Sequence, residues 1–231
     1  MTESNQTPER GRERENAETR LLYRITKELH DLDLGVETSL FKTVEHLSYY
    51  GFDRPTVALH DRATDEIYFD VTHGMSDRER QKGRLRKGEG IEGKVFDRGE
   101  AAVVPSIGSE PEFVDRTGSR KEIDRDGTAF ICVPIRDPQR RPVGVLSADV
   151  SGVVDAELKW QRRVLTIVAH LIGDATRSWR DQREEDEAYV RDEIDSPSEP
   201  IVAPRELVGN SRTIRAVFRQ INQVAPSGLT V

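Results

Sequence analysis

Twice along this chain, two strand-like runs follow one another with only a turn between them. Neither gap leaves room for the helical crossover that a parallel pair needs. Val57 and Leu59 lead through Asp61-Arg62-Ala63-Thr64-Asp65 to Ile67, Phe69 and Val71, which alternate with Tyr68, Asp70 and Thr72. Phe130-Ile131-Cys132-Val133-Pro134-Ile135 passes through Asp137-Pro138-Gln139-Arg140 into Val143-Gly144-Val145-Leu146-Ser147-Ala148-Asp149. The second pair is expected at the centre of the sheet, and a further short strand is expected at Ala102–Val104. The order helix, helix, strand, strand, short helices, strand, strand, strand, helix predicts an α+β fold. Its central sheet is largely antiparallel, of five to six strands, with helices packed outside.

The helical segments carry the complementary period. Leu21, Leu22, Ile25 and Leu29 recur at spacings of three and four and predict a helix from Ala17. Val36, Leu40, Val44 and Leu47 predict a second, ending near Tyr50-Gly51. Ser76 is placed to cap a short polar helix, and Asp155 to cap a long one over residues 156–180. Trp160, Val164, Ile167, Val168, Leu171, Ala175 and Trp179 form the stripe of that long helix. Residues 1–16 read as a disordered leader, 17–182 as one domain, 183–204 as an acidic linker, and 205–231 as the start of something further.

A glycine-punctuated stretch, Gly88-Glu89-Gly90-Ile91-Glu92-Gly93-Lys94-Val95-Phe96-Asp97-Arg98-Gly99, lies between the two strand pairs. Ile91, Val95 and Phe96 share one side of a helical turn, so the stretch predicts a tight loop and small helix closing over the sheet as a pocket lid. Gly88, Gly90 and Gly93 also match the dinucleotide-binding spacing. That motif needs an apolar strand before it, whereas Lys82-Gly83-Arg84-Leu85-Arg86-Lys87 reads as a polar run, so the match is set aside.

Hydrophobic content of 35%, charged content of 33% and a net charge of −7 describe long solvated helices around a modest core, without the basic face that phosphate backbones require. One cysteine, Cys132, excludes an internal disulfide and a cysteine-rich zinc site. Its place in an apolar strand reads as a buried structural thiol, with a redox or nitric-oxide sensor as the alternative. Met1 to Glu18 has no apolar core of a signal peptide, and no run is long enough to span a membrane, so a cytoplasmic protein is expected. The five histidines are scattered and no Gly-x-Ser-x-Gly elbow occurs, so neither metal nor enzyme chemistry is expected. For a pocket beside the lid, Arg84, Arg86, Arg116, Arg120 and Lys121 can clamp a dicarboxylate, because each guanidinium offers two parallel donors. The alternative is that they are surface cations paired with Glu89, Asp115 and Glu122.

Gly88-Glu89-Gly90-Ile91-Glu92-Gly93-Lys94-Val95 with Gly99, Phe130–Ile135 and Val143–Asp149 together resemble the GAF family of small-molecule sensor domains, over roughly residues 20–180. The resemblance implies the GAF fold with a long C-terminal helix. Glu206-Leu207-Val208-Gly209-Asn210-Ser211-Arg212-Thr213-Ile214-Arg215-Ala216-Val217-Phe218 resembles the opening of the AAA+ domain of sigma-54-dependent transcription activators. Its phosphate loop would follow beyond Leu229-Thr230-Val231, so the chain is expected to be the front of a longer protein. With Glu112-Phe113-Val114-Asp115-Arg116-Thr117-Gly118, the sensor part is most similar to that of NifA-type activators of nitrogen-fixation genes, though other sigma-54 activators share the layout. The resemblance implies a regulatory domain that answers to 2-oxoglutarate or to an anti-activator protein. It implies sigma-54 RNA polymerase, ATP and DNA as partners of regions outside this chain.

The two terminal helices carry more apolar face than one small sheet needs. Leu21, Leu22, Ile25, Leu29, Trp160, Val164, Val168, Leu171 and Trp179 are therefore expected to pair two subunits in a homodimer. The competing reading is a ligand-free interaction domain. An open cavity lined by Arg84, Arg86 or Arg116 favours the sensor, and one plugged by Phe96, Phe113 or Phe130 favours the interaction domain.

Overall fold

A computed structural model of the chain describes residues 6–31, 34–152 and 157–176, with side chains from residue 15 onward. The chain divides into two units, residues 1–181 and 182–231, and everything described lies in the first. The expected linker, the segment 205–231, Asp155 and Trp179 fall outside the described residues.

Two helices open the fold, α1 (Gln6–Leu29) and α2 (Val36–Tyr49). The first begins at Gln6 rather than Ala17, so residues 6–16 are helix and not the disordered leader expected. Strands β1 (Asp53–Asp61) and β2 (Glu66–Thr72) form the first hairpin. Helix α3 (Asp77–Lys82) follows, started by a capping box in which Ser76 and Glu79 satisfy each other's backbone donors. Then come β3 (Arg84–Arg86), α4 (Gly90–Arg98), β4 (Ala102–Val104), β5 (Thr128–Arg136) and β6 (Pro142–Ser151). Residues 157–176 are helical and form α5.

The strand order is β3-β2-β1-β6-β5-β4, and every neighbouring pair is antiparallel. The six strands agree with the expected α+β sheet. Its centre differs: β1 and β6 are central, and β5 lies one place from the edge. Arg84-Leu85-Arg86, read as part of a polar run, is a short edge strand paired with β2. With three residues, only Leu85 points inward, too few for a legible alternation.

The sheet separates two cores. On one face Ala129, Ile131, Val133 and Ile135 of β5 and Leu146, Ala148 and Val150 of β6 pack with Leu21, Ile25 and Leu29 of α1, Leu40, Val44 and Leu47 of α2, and Leu165, Val168 and Ile172 of α5. On the other face Phe130 and Cys132 of β5 and Val145 of β6 join Ile91, Val95 and Phe96 of α4. Both faces of β5 and β6 are thus covered, which is why they read as continuous apolar runs. The stripe of α5 agrees with the expected one at Val164, Val168 and Ala175, which are buried, but it also takes in Leu158, Leu165, Ala169 and Ile172, while Trp160, Ile167 and Leu171 are half-buried. The indole Nε1 of Trp160 donates to Glu18 Oε2 at 2.9 Å, and Arg163 donates to the same oxygen at 2.6 Å, fixing α5 beside α1. Leu21, Ile25, Leu29, Val164 and Val168 are fully buried within the single chain, so they serve its core. Of the described residues expected to pair two subunits, Leu22, Trp160 and Leu171 leave apolar surface.

Candidate ligand sites on the α4 face

The lid is built by close backbone approach. Gly88 and Gly90 take φ of 77° and 62°, a region that L side chains rarely adopt. Between them, Glu89 N–H donates to Arg86 O, and Gly88 N–H donates to Gly93 O, each at 3.0 Å. This closes a tight ring that starts α4 directly after β3. Helix α4 ends where Gly99, at φ 69°, donates to Val95 O. Ile91, Val95 and Phe96 face the sheet as expected and are buried. The lid is therefore shut over a filled core: Phe113 meets Phe130 edge-on at 5.0 Å, and both lie with Phe96, Ile107 and Cys132 in one cluster.

Residues 105–127 contain no helix or strand and run across the start of α4. Arg120 turns inward from this loop and is 3% exposed. Its Nε lies 2.9 and 3.0 Å from the two carboxylate oxygens of Asp149, and its Nη2 lies 3.0 Å from Oδ1. The guanidinium carbon is 5.2 Å from the Phe113 ring centre and 5.5 Å from that of Phe130. Asp149, fully buried on β6, also accepts from Arg54 Nε at 2.7 Å. Glu92 faces this cluster from α4 and is 4% exposed. Burial raises its carboxyl above the ordinary value, and Arg120 only partly offsets that. For Arg120, burial works against the charge, but Asp149, Glu92 and Asp115 hold its affinity for the proton above the ordinary value.

The expected anion clamp is only partly assembled. Arg84, Arg86 and Arg116 converge, with Lys87, on an open cleft of about 560 Å³ at the β3 edge, which Glu66, Leu85, Gly88 and Glu89 complete. Arg116 pairs with Glu89, and Arg84 lies 3.4 Å from Glu66. Glu89 also accepts from the Arg86 N–H at 2.9 Å. Arg120 does not join the cleft, because it is spent inside on Asp149, and exposed Lys121 does not line it either. Cys132 is fully buried, and burial, with the negative field of Glu92, pushes its thiol well above the ordinary value. Glu92, Asp149 and Arg54 were not among the expected site residues. Two signals pointed to the carboxylates, one inside an apolar strand and one on the apolar side of the lid, three and four residues before Val95 and Phe96, and none pointed to Arg54.

Among the described residues no three His, Cys, Asp or Glu side chains are grouped to hold a metal ion, and no helix is long and apolar enough to cross a membrane.

An antiparallel six-stranded sheet with three helices on one face and a lid helix on the other defines an α+β domain. Residues 20–175 match the GAF domain model, and the chain belongs to the GAF domain family. Nitrogen fixation protein VnfA of Azotobacter vinelandii is 33% identical over 181 residues, covering 77% of this chain and 34% of that protein. The Nif-specific regulatory protein of Herbaspirillum seropedicae is 31% identical over 224 residues, covering 94% and 40%. The chain therefore spans between a third and two fifths of the length of these two relatives. Among solved structures, the A. Aeolicus nlh2 GAF domain in an inactive state superimposes with a TM-score of 0.64 at 24% identity, covering 71% of this chain and 97% of that one, which shows the shared fold.

Proposed function

We propose that this chain is the N-terminal regulatory part of a NifA-type sigma-54-dependent activator, a cytoplasmic protein, and that it senses rather than catalyses. The match to a Nif-specific regulatory protein extends over 224 residues, well past the GAF boundary at residue 175, which supports that placement. In this reading, residues 17–182 restrain or license an AAA+ ATPase that begins near residue 205, across the acidic segment 183–204. The effector is a small anion such as 2-oxoglutarate. The observation that carries the effector class is the β3-edge cleft, whose lining sets four cations, Arg84, Arg86, Lys87 and Arg116, against two carboxylates, Glu66 and Glu89. Binding there would compete with Glu89 for Arg116 and so act on both the lid turn and the loop 105–127.

Thermal melting of the chain with millimolar 2-oxoglutarate tests this. A saturable rise of several degrees that Arg86→Glu abolishes is the expected result. A rise that survives Arg86→Glu overturns the clamp, and no rise for any small anion overturns the sensor. A second reading, a ligand-free dimerisation and interaction module answering to an anti-activator protein, is favoured by the filling of the inner core by Phe96, Phe113 and Phe130. Its mark is a homodimer by sedimentation with flat melting curves in every ligand.

A further inference from the structure

We infer that the outward face of α2, with the groove between it and α3, docks a basic amphipathic helix of a partner protein. The surface shares no lining residue with the anion cleft at the β3 edge, and the inference stands whichever effector binds there. Glu37, Phe41, Glu45 and Tyr49 follow one another at intervals of four, so carboxylate and aromatic alternate along one stripe of the helix. The other side of α2 is spent on the core through Leu40, Val44 and Leu47. Phe41 is 47% exposed and Tyr49 77%. Of the five large hydrophobic side chains left exposed among the described residues, three, Val36, Phe41 and Tyr49, belong to this one helix. Apolar surface gathered on one element marks an interaction site, where single scattered residues would not.

Charge selects the partner. Beside Phe41 the stripe borders a groove of about 370 Å³, where Asp70 at the end of β2 and Met75, Asp77 and Arg80 around α3 join Glu37. Three carboxylates there meet one guanidinium, and Arg80 is already held, donating to Asp70 O at 2.9 Å and lying 3.6 Å from Asp77. The Asp70 carboxyl is half-buried; burial and then the charge of Glu37 raise its value above the ordinary one, and Arg80 offsets only part of that. A cation entering the groove relieves both effects, and an anion adds to them. The complement of the whole stripe is a helix that carries Lys or Arg beside large apolar residues at intervals of three and four. A small free amine would fill the groove and leave Glu45 and Tyr49, one and two turns farther along α2, uncovered. A two-fold contact with a second copy would set the carboxylates of the stripe against their own counterparts, so the face is not built for self-pairing.

The test titrates the 231-residue chain into a dye-labelled helical peptide of repeated Leu-Lys-Lys-Leu, followed by fluorescence anisotropy at fixed ionic strength. Saturable binding is expected, with affinity at least tenfold weaker for Phe41→Ser combined with Tyr49→Ser. The same loss is expected for Glu37→Gln combined with Asp70→Asn, which keeps the apolar surface. Phe41 and Tyr49 are exposed, so the first variant should melt as the unaltered protein does; should it not, the second variant decides. A peptide of repeated Leu-Glu-Glu-Leu is expected not to bind. No binding of the basic peptide, equal binding of the acidic one, or an affinity that neither variant changes overturns the proposal. Complete displacement of the peptide by phenethylamine overturns it in favour of a small amine. A homodimer that Phe41→Ser with Tyr49→Ser dissociates in sedimentation overturns it in favour of a second copy of the chain.

Discussion

Asn at position 149 would keep the shape of the aspartate and remove the charge that two guanidinium groups share. In the folded protein Asp149 is fully buried, accepts three short contacts from Arg120, and accepts a fourth from Arg54 at 2.7 Å. Removing one partner of a buried pair costs about 3–5 kcal/mol, because the remaining charge loses both water and its counter-charge. The asparagine oxygen still accepts one of these bonds, so the lower end applies, about 3 kcal/mol. For a domain of this size each kcal/mol moves the melting temperature by about 2–4 °C, which gives a fall of roughly 6–12 °C. Circular dichroism melts, with urea titrations to check that the m-value is unchanged, measure it. Replacing both partners by apolar residues of similar volume, Arg120→Met with Asp149→Leu, should cost less than the sum of the single changes. A fall below about 2 °C for Asp149→Asn, at unchanged m-value, would refute the idea that this cluster anchors the loop to the sheet.

Glu92 titrates with a folded-state value raised from the ordinary 4.5, so its stabilising contribution is complete below that value and is lost as pH rises through the folded one. Glu92→Gln should therefore gain in melting temperature relative to the unaltered protein as pH goes from 4.5 to 8, and a constant difference would contradict this. Gly93→Ala should cost about 1–3 kcal/mol in urea denaturation, since a Cβ there would lie 2.5 Å from Arg86 O. An undiminished midpoint would mean that the ring closing β3 onto α4 relaxes freely. Cys132 should resist iodoacetamide at pH 8 until denaturant opens the protein, because its thiol is buried and its ionisation suppressed. Modification within minutes in native buffer would refute that burial.

What the sequence revealed, and what it hid, follows from how many faces of each element are covered. The strands β5 and β6 were legible because apolar side chains serve both cores at once. The lid was legible through the spacing of Ile91, Val95 and Phe96 between glycines. Strand β3 was not, since Leu85 is its single inward residue and the two arginines beside it dominate the local composition. In α5 the apolar residues spread round so much of the helix that spacing alone finds Val164, Val168 and Ala175 of the buried face but includes the half-buried Trp160, Ile167 and Leu171 and omits the buried Leu165 and Ile172. Of the five expected cations, Arg84, Arg86 and Arg116 share a cleft because the β3 edge and the loop meet there. The inward turn of Arg120 depends on Asp149 and Glu92, which are distant in sequence. Pairing across such separations leaves no periodic signal, and only the oddity of a carboxylate within an apolar run marks it.

The central claim is that residues 17–182 regulate an ATPase that follows them. The direct measurement is the ATP hydrolysis rate of the longer protein, with and without residues 1–181, across a titration of 2-oxoglutarate. The account predicts a rate that depends on 2-oxoglutarate when the domain is present, and a several-fold different, effector-independent rate when it is removed. Equal rates, with the same response to 2-oxoglutarate in both forms, would contradict it.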